Sequence, residues 1–343
     1  MQVSLPDPPP GKTGWPWHLD SKPPRDWGTG EQLPWITVVT PSFNQGDYLE
    51  ETIRSVLMQG YPKLQYIVVD GGSTDKTQDV LAKYAHVISH LIQEPDQGQS
   101  DAICKGLQLA TGTFFNWINS DDFLWPGTLW ELAERCRPET DLYTFSVSVE
   151  GEGVKTYKML NERLSALRIL RADRYSFSQP GLWFKTPLLR ACGGIDKSLN
   201  YGFDWDLLVR YLAAHPSVQY SESTGATFRL HCTSKTVVES AKTDHEQNRF
   251  KHEADLIRDK LEQTLPKHLA NASRLGRLRE PWNQTLVNYL DDFDSSPLKS
   301  TFEIMRLTLQ NPRVRATWRT SGTALRLMSR YVRPRLTRKT SAR

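Results

Sequence analysis

The chain has 343 residues, 38% apolar and 24% charged, long enough to bury a substantial core and too balanced in composition for a disordered or fibrous protein. No run of 18 or more apolar residues occurs, so no spanning helix is expected. The net charge of +4 is uneven: residues 311–343 hold nine arginines, one lysine and no acid, a segment of +10 that leaves −6 on the remainder. The N-terminus, MQVSLPDPPP, lacks the basic and apolar blocks of a signal peptide, which predicts a cytoplasmic location. Cys104, Cys136, Cys192 and Cys232 lie far apart without a C-x-x-C, and suit reduced, packed thiols better than a disulfide framework or a zinc site.

Residues 1–34 are rich in proline, glycine and tryptophan and show no period; they read as an irregular arm laid over the domain through Trp15, Trp17 and Trp27. From residue 35 strands and helices alternate. Trp35-Ile36-Thr37-Val38-Val39 is a β-branched apolar run that stops at Pro41, as a buried strand does. Leu49, Ile53, Val56 and Leu57 then share one helical face. A second strand, 65–70, ends on Asp70, and a helix near 75–84 follows. The apolar run 86–92 leads to a helix carrying Ile103, Leu107 and Ala110. The fourth strand, 114–118, runs into Asp121 and Asp122, and Pro126 opens a helix with Leu129, Leu132, Ala133 and Cys136 on its inner side. This alternation predicts right-handed βαβ units and a doubly wound, mainly parallel α/β sheet.

Beyond 140 the pattern loosens. Strands are predicted near 141–149, 181–184 and 217–229, with a helix from about Asp204 that turns Leu207, Leu208, Tyr211 and Leu212 inward. From 240 the chain is polar and predicted helical, interrupted by Pro266, Pro281 and Pro297.

Ligands of an open parallel sheet bind outside the carboxyl ends of its strands. Both acidic clusters, Asp70-Gly71-Gly72-Ser73-Thr74-Asp75 and Asn119-Ser120-Asp121-Asp122, therefore belong on one rim, where they suit a nucleotide and a hard divalent cation. The first hexapeptide equally suits a turn whose Ser73, Thr74 or Asp75 caps the next helix. It is neither a P-loop nor a G-x-G-x-x-G. Adjacent carboxylates such as Asp121 and Asp122 repel unless a cation or water relieves them, although a solvated acidic turn is the plainer alternative. Asp204 and Asp206 open the late helix. First-turn acids ordinarily complement the helix dipole, and Asp204 is the better placed of the two to act as a general base. His231, flanked by Arg229 and Lys235, is either structural or a contact to a diphosphate or metal.

Five stations, in order, resemble the signature of family 2 glycosyltransferases: Thr40-Pro41-Ser42-Phe43-Asn44, Ile67-Val68-Val69-Asp70-Gly71-Gly72-Ser73-Thr74-Asp75, Glu94-Pro95-Asp96-Gln97-Gly98, Asn119-Ser120-Asp121-Asp122, and Tyr201-Gly202-Phe203-Asp204-Trp205-Asp206-Leu207. The resemblance covers about residues 35–236. It implies a GT-A fold; residues 237–343, outside it, read as a helical extension with the basic tail. It also implies an inverting transfer of sugar from a nucleotide-diphosphate sugar to a hydroxyl of a glycan or lipid-linked acceptor. By resemblance, Pro41, Asp70 and Asp96 contact the nucleoside, and Asn44, Ser73, Asn119, Asp121 and His231 complete the nucleotide-sugar site. Asp121 takes the place of the metal-binding residue, for Mn²⁺ or Mg²⁺, and Asp204 that of the catalytic base. The Arg229-x-His231-x-x-Ser234-Lys235 stretch resembles bacterial polysaccharide-type members. Two positions depart from the pattern: the D-x-D begins with the amide Asn119, and the residue before Asp204 is Phe203 rather than an acid.

Two rivals stay in view. A non-catalytic binding module of this fold would have lost the base or the metal aspartate, and both are present. A nucleotidyltransferase would carry a Gly-rich, basic triphosphate loop near its N-terminus, and none is seen. In the tail, Arg326, Arg330 and Arg333 recur beside Leu325, Met328 and Val332 before Pro334, as in a basic amphipathic helix that lies on an anionic membrane. Nucleic acid is not an expected partner.

Overall fold

In the first half of the chain, strand and helix alternate as β1 (Ile36–Ser42), α1 (Leu49–Leu57), β2 (Leu64–Asp70), α2 (Thr77–Tyr84), β3 (His90–Gln93), α3 (Gln99–Leu109) and β4 (Phe114–Trp117). The structure, a computed structural model, describes residues 5–18, 22–23, 30, 32–171, 177–240 and 249–277. Strands β1 to β4 pair in parallel in the order β3-β2-β1-β4, so the direction of winding reverses between β1 and β4. Ser42 lies opposite Asp70, and Asp70 opposite Gln93. The C-terminal ends of these strands therefore meet at one edge, beside the switch point where such sheets bind ligands.

Alternate side chains of the strands serve two cores. Val39, Ile67, Val69, Phe115 and Trp117 face one cluster, whereas Ile36, Val38, Tyr66, Val68 and Phe114 face the other. Cover on both faces is why β1 and β2 are continuous apolar runs rather than alternating ones.

The second half is mixed. After β5 (Phe123–Leu124) and α4 (Thr128–Arg135) come β6 (Leu142–Gly151), β7 (Val154–Met159), α5 (Ala166–Arg171), β8 (Leu182–Lys185), α6 (Thr186–Ala191), α7 (Phe203–Ala214), β9 (Val218–Leu230), α8 (Lys235–Ser240) and α9 (Arg249–Thr264). Strand β8 lies antiparallel between β4 and β6, β9 runs parallel to β6, and β5 and β7 add antiparallel edges. Strands β5 and β7 are not foreseen from the sequence: β5 has two residues, too few for a period, and β7 is a hairpin return after the Gly151–Gly153 turn. The third strand is shorter than the apolar run suggests, because Ala85–Val87 winds into a 3₁₀ turn.

Residues 1–276 form one compact unit. The arm enters it through Arg54 on α1, which is 3% exposed. Its guanidinium donates to the carbonyls of Pro6, Pro16 and Trp17 and to the Tyr84 hydroxyl, and stacks over Trp17. Trp15 donates its indole N–H to the Leu124 carbonyl. Trp27 lies outside the described residues, as do 278–343 with Pro281, Pro297 and the basic tail. Among the described residues no helix is long and apolar enough to cross a membrane.

Candidate active site

A cavity of about 490 Å³ opens at the strand-end edge, lined by Pro41, Ser42, Gly71, Asp96, Asn119 and Asp121 among others. Asp70, at the end of β2, is fully buried and does not reach this lining. One Asp70 oxygen accepts from the Ser73 hydroxyl at 2.5 Å, and the other accepts from the Ser73 backbone N–H at 3.1 Å and from Gln78 at 3.0 Å. Ser73 Oγ in turn accepts from the Asn44 N–H, and the Asn44 side chain accepts from the Thr74 N–H. Asn44 sits at φ +52°, in the left-handed region that asparagine tolerates better than most residues. Asn44, Asp70 and Ser73 thus lock the β1 and β2 loops together, while Asp96 reaches the cavity wall. A Cβ on Gly71 would stand 2.6 Å from Asp96 Oδ2, so glycine is what lets this carboxylate close over the turn. Burial raises the Asp96 pKa above its ordinary value.

The acidic turn splits into two roles. Asp122 is buried, and accepts from the Arg229 N–H at 2.9 Å and from Asn119 Nδ2 at 3.0 Å. Burial, then the neighbouring charge of Asp121, pushes its pKa well up. The amide at 119 has a local cause: Asp122 needs a donor there, and a carboxylate would set a second negative charge against it. The other side of Asn119 accepts from Gln99 at 2.6 Å. Asp121 instead lines the cavity and meets His231, with Oδ2 and Nε2 2.9 Å apart. The other His231 nitrogen bonds Thr233, and the ring packs 4.5 Å from Tyr48.

Of the two cations beside His231, one is spent and one faces the cleft. Arg229 pairs with Glu51 at 2.9 Å and lies over the rings of Tyr48 and Phe123. Lys235 lines the cavity, with the Asn200 carbonyl at 3.4 Å and the Tyr201 ring at 5.7 Å. Among the described residues no carboxylate lies within ion-pair distance of it, and burial lowers its pKa.

A second cavity of about 510 Å³ shares the Gln99, Asn119, Phe228, Lys235 and Thr236 wall with the first. Asp204 lines it, among aromatic side chains that include Trp117, Tyr157 and Phe203. The half-buried Asp204 carboxylate accepts from the Trp205 N–H at 2.7 Å. Burial, with a smaller push from the charge of Glu253, raises its pKa to about 6. Asp206 is fully buried and committed to structure, paired with Arg210 at 2.6 Å and Lys260 at 3.2 Å. The structure thus gathers Pro41, Asp96, Asn119 and Asp121 around the first cavity and Asp204 in the second; His231 is tied to the first through Asp121, and Asn44, Asp70 and Ser73 lie outside both linings. Sequence reasoning missed Glu253, which sits in a helix that reads as merely polar; the Ala254, Ile257, Leu261 stripe beside it was the available signal.

Residues 37–192 match the profile of Glycosyl transferase family 2. It is 25% identical over 214 residues to an uncharacterized glycosyltransferase of Rickettsia typhi, covering 58% of this chain and 64% of the relative. To the putative teichuronic acid biosynthesis glycosyltransferase TuaG of Bacillus subtilis it is 39% identical over 92 residues, 26% of this chain and 36% of that one. The chain thus spans about one third to two thirds of the length of these curated relatives. Among solved structures, S. aureus TarS 1–349 in complex with UDP-GlcNAc superposes with a TM-score of 0.56 at 18% identity, over 79% of each chain. The mannosyltransferase PcManGT of Pyrobaculum calidifontis, in complex with GDP-Man and Mn²⁺, superposes with a TM-score of 0.54 at 18% identity, over 90% of this chain and 88% of that one. At that identity the likeness is one of fold: the architecture is GT-A-like.

Proposed function

We propose that this chain transfers a sugar from a nucleotide-diphosphate sugar to a hydroxyl of a glycan or lipid-linked acceptor, with inversion at the anomeric carbon. The observation that carries the reading is the shared wall: Asp121, bonded to His231, in one cavity and a carboxylate of raised pKa in the next, with Asn119 and Lys235 between them. Nucleotide and diphosphate occupy the first cavity and the acceptor the second.

The residues fit a hard divalent cation, Mn²⁺ or Mg²⁺, arriving with the diphosphate. Asp121 and His231 supply two converging donors, and cations of this class keep their other positions for phosphate oxygens and water. When bound, it neutralises charge growing on the leaving diphosphate. Lys235, on the wall shared by both cavities, adds a positive charge there. Asp204 takes the proton of the acceptor hydroxyl as that oxygen attacks the anomeric carbon from the face opposite the diphosphate. The glycosidic bond forms as the carbon–phosphate-oxygen bond breaks, and the proton ends on Asp204. A base with a pKa near 6 is largely ionised at neutral pH and still a useful proton acceptor.

The test is a panel of nucleotide sugars with Mn²⁺. One donor is expected to raise the melting temperature and to release nucleoside diphosphate slowly in the absence of acceptor. Release of pyrophosphate would point to nucleotidyl transfer instead, and binding without any release to a non-catalytic module.

The +10 segment at 311–343 supports association with an anionic membrane surface, the inner leaflet for a cytoplasmic enzyme, where a lipid-linked acceptor would be confined. The full chain is expected to cosediment with anionic liposomes at low salt. Equal binding after removal of 311–343 would refute the tail's part.

A further inference from the structure

The carboxylate proposed as base makes a single side-chain hydrogen bond among the described residues, to the N–H of the next residue. Its direction is therefore set by the backbone that carries it, and that backbone is gripped from α9. Glu253, 9% exposed, accepts from three successive N–H groups just before α7: Asn200 at 2.7 Å, Tyr201 at 2.6 Å and Gly202 at 2.7 Å. On the other side of Asp204, Arg258 stacks over the Trp205 ring at 5.1 Å, and Lys260 pairs with Asp206. The fit at Gly202 is tight, since a Cβ there would stand 2.6 Å from Ile257 Cδ1.

We propose that α9 is the positioning element of the transfer reaction and that Glu253 is its positioning residue, holding the 200–202 turn so that Asp204 faces the acceptor cavity. The inference rests on Asp204 being the base. Three N–H donors converging on one carboxylate form charge-assisted bonds that an amide cannot reproduce, because a glutamine would turn its own N–H₂ toward at least one of them. The matched segment, 37–192, ends before both Asp204 and α9, so this grip belongs to the part of the chain that the family profile does not describe. Residues 200–202 also line the acceptor cavity but are absent from the donor pocket's lining, which they meet through the Asn200 and Tyr201 contacts to Lys235. Disturbing the grip should therefore separate chemistry from donor binding.

The experiment uses the full chain with the donor found by the panel. For Glu253→Gln, kcat is expected to fall tenfold or more, with the affinity for the matching nucleoside diphosphate unchanged by calorimetry. Gly202→Ala, which pushes the same turn off Ile257 from the opposite side, is expected to do likewise, and it carries the test if Glu253→Gln does not fold. Leu256→Ser, on the exposed face of α9, serves as the control and should match the parent. The proposal is overturned if kcat stays within twofold of the parent, or if nucleotide affinity falls in step with kcat, the mark of general loosening. Asp204→Asn run alongside separates the two readings: full turnover there removes the base itself, whereas its loss beside an active Glu253→Gln removes only the grip.

Discussion

Asp204→Asn is expected to slow transfer by ~10²–10⁴, the usual value of a positioned general base, while leaving donor affinity intact. The same substitution should stabilise the protein. A carboxylate whose pKa rises from 3.8 unfolded to about 6 folded binds more protons in the native state between those values. Its contribution to stability is therefore lost as pH rises through that window, and above pH 6 the native state carries the full cost of the buried charge. Removing the charge should recover on the order of 1 kcal/mol at neutral pH, a figure lowered because the group is partly exposed. The gain in melting temperature should vanish near pH 4. In the parent enzyme kcat/KM should fall about tenfold per unit below pH 6. A variant that turns over normally, or that melts lower at pH 7 than at pH 4 relative to the parent, contradicts the assignment.

Asp121→Ala is expected to cut the Mn²⁺-dependent part of donor affinity by at least roughly 10- to 100-fold, the scale on which losing even an outer-shell partner acts. The fold should tolerate it, because Asp121 lines the cavity and its side-chain partner among the described residues is His231. Asp122, by contrast, is buried and holds both Asn119 and the Arg229 backbone, so Asp122→Ala should lower the melting temperature first. Calorimetry of nucleoside diphosphate with and without Mn²⁺ reads the difference. Affinity for the diphosphate alone should change little in Asp121→Ala; an equal loss with and without the cation would mean that Asp121 contacts the nucleotide directly.

The parallel half was legible because physics writes it plainly: strands covered on both faces must be continuous apolar runs, and the acids that follow them must lie at one edge. That reasoning brings Asp70, Asp96 and Asp121 together. It does not say that Asp70 is walled in behind Ser73 and Gln78 while Asp96 meets the cavity, because that division depends on the missing Cβ at Gly71. Nor does it separate Asp121 from Asp122, whose difference lies in contacts to His231 and Arg229, more than a hundred residues away. The mixed half was harder to read: short edge strands have no period, and α9 hides a functional carboxylate in a polar helix. Arg229 and Lys235 look alike in sequence, and only the position of Glu51 tells them apart.

The seat of Arg54 also sets how short this catalytic unit can be. Three of its acceptors are carbonyls of Pro6, Pro16 and Trp17, so a chain trimmed to begin at β1 would leave a guanidinium inside α1 with the Tyr84 hydroxyl and Met58 sulfur as its remaining recorded partners. A buried cation stripped of its partners costs several kcal/mol, a large fraction of what holds an ordinary domain folded. The arm is thus internal to the domain's charge balance, and a minimal enzyme starts no later than Pro6.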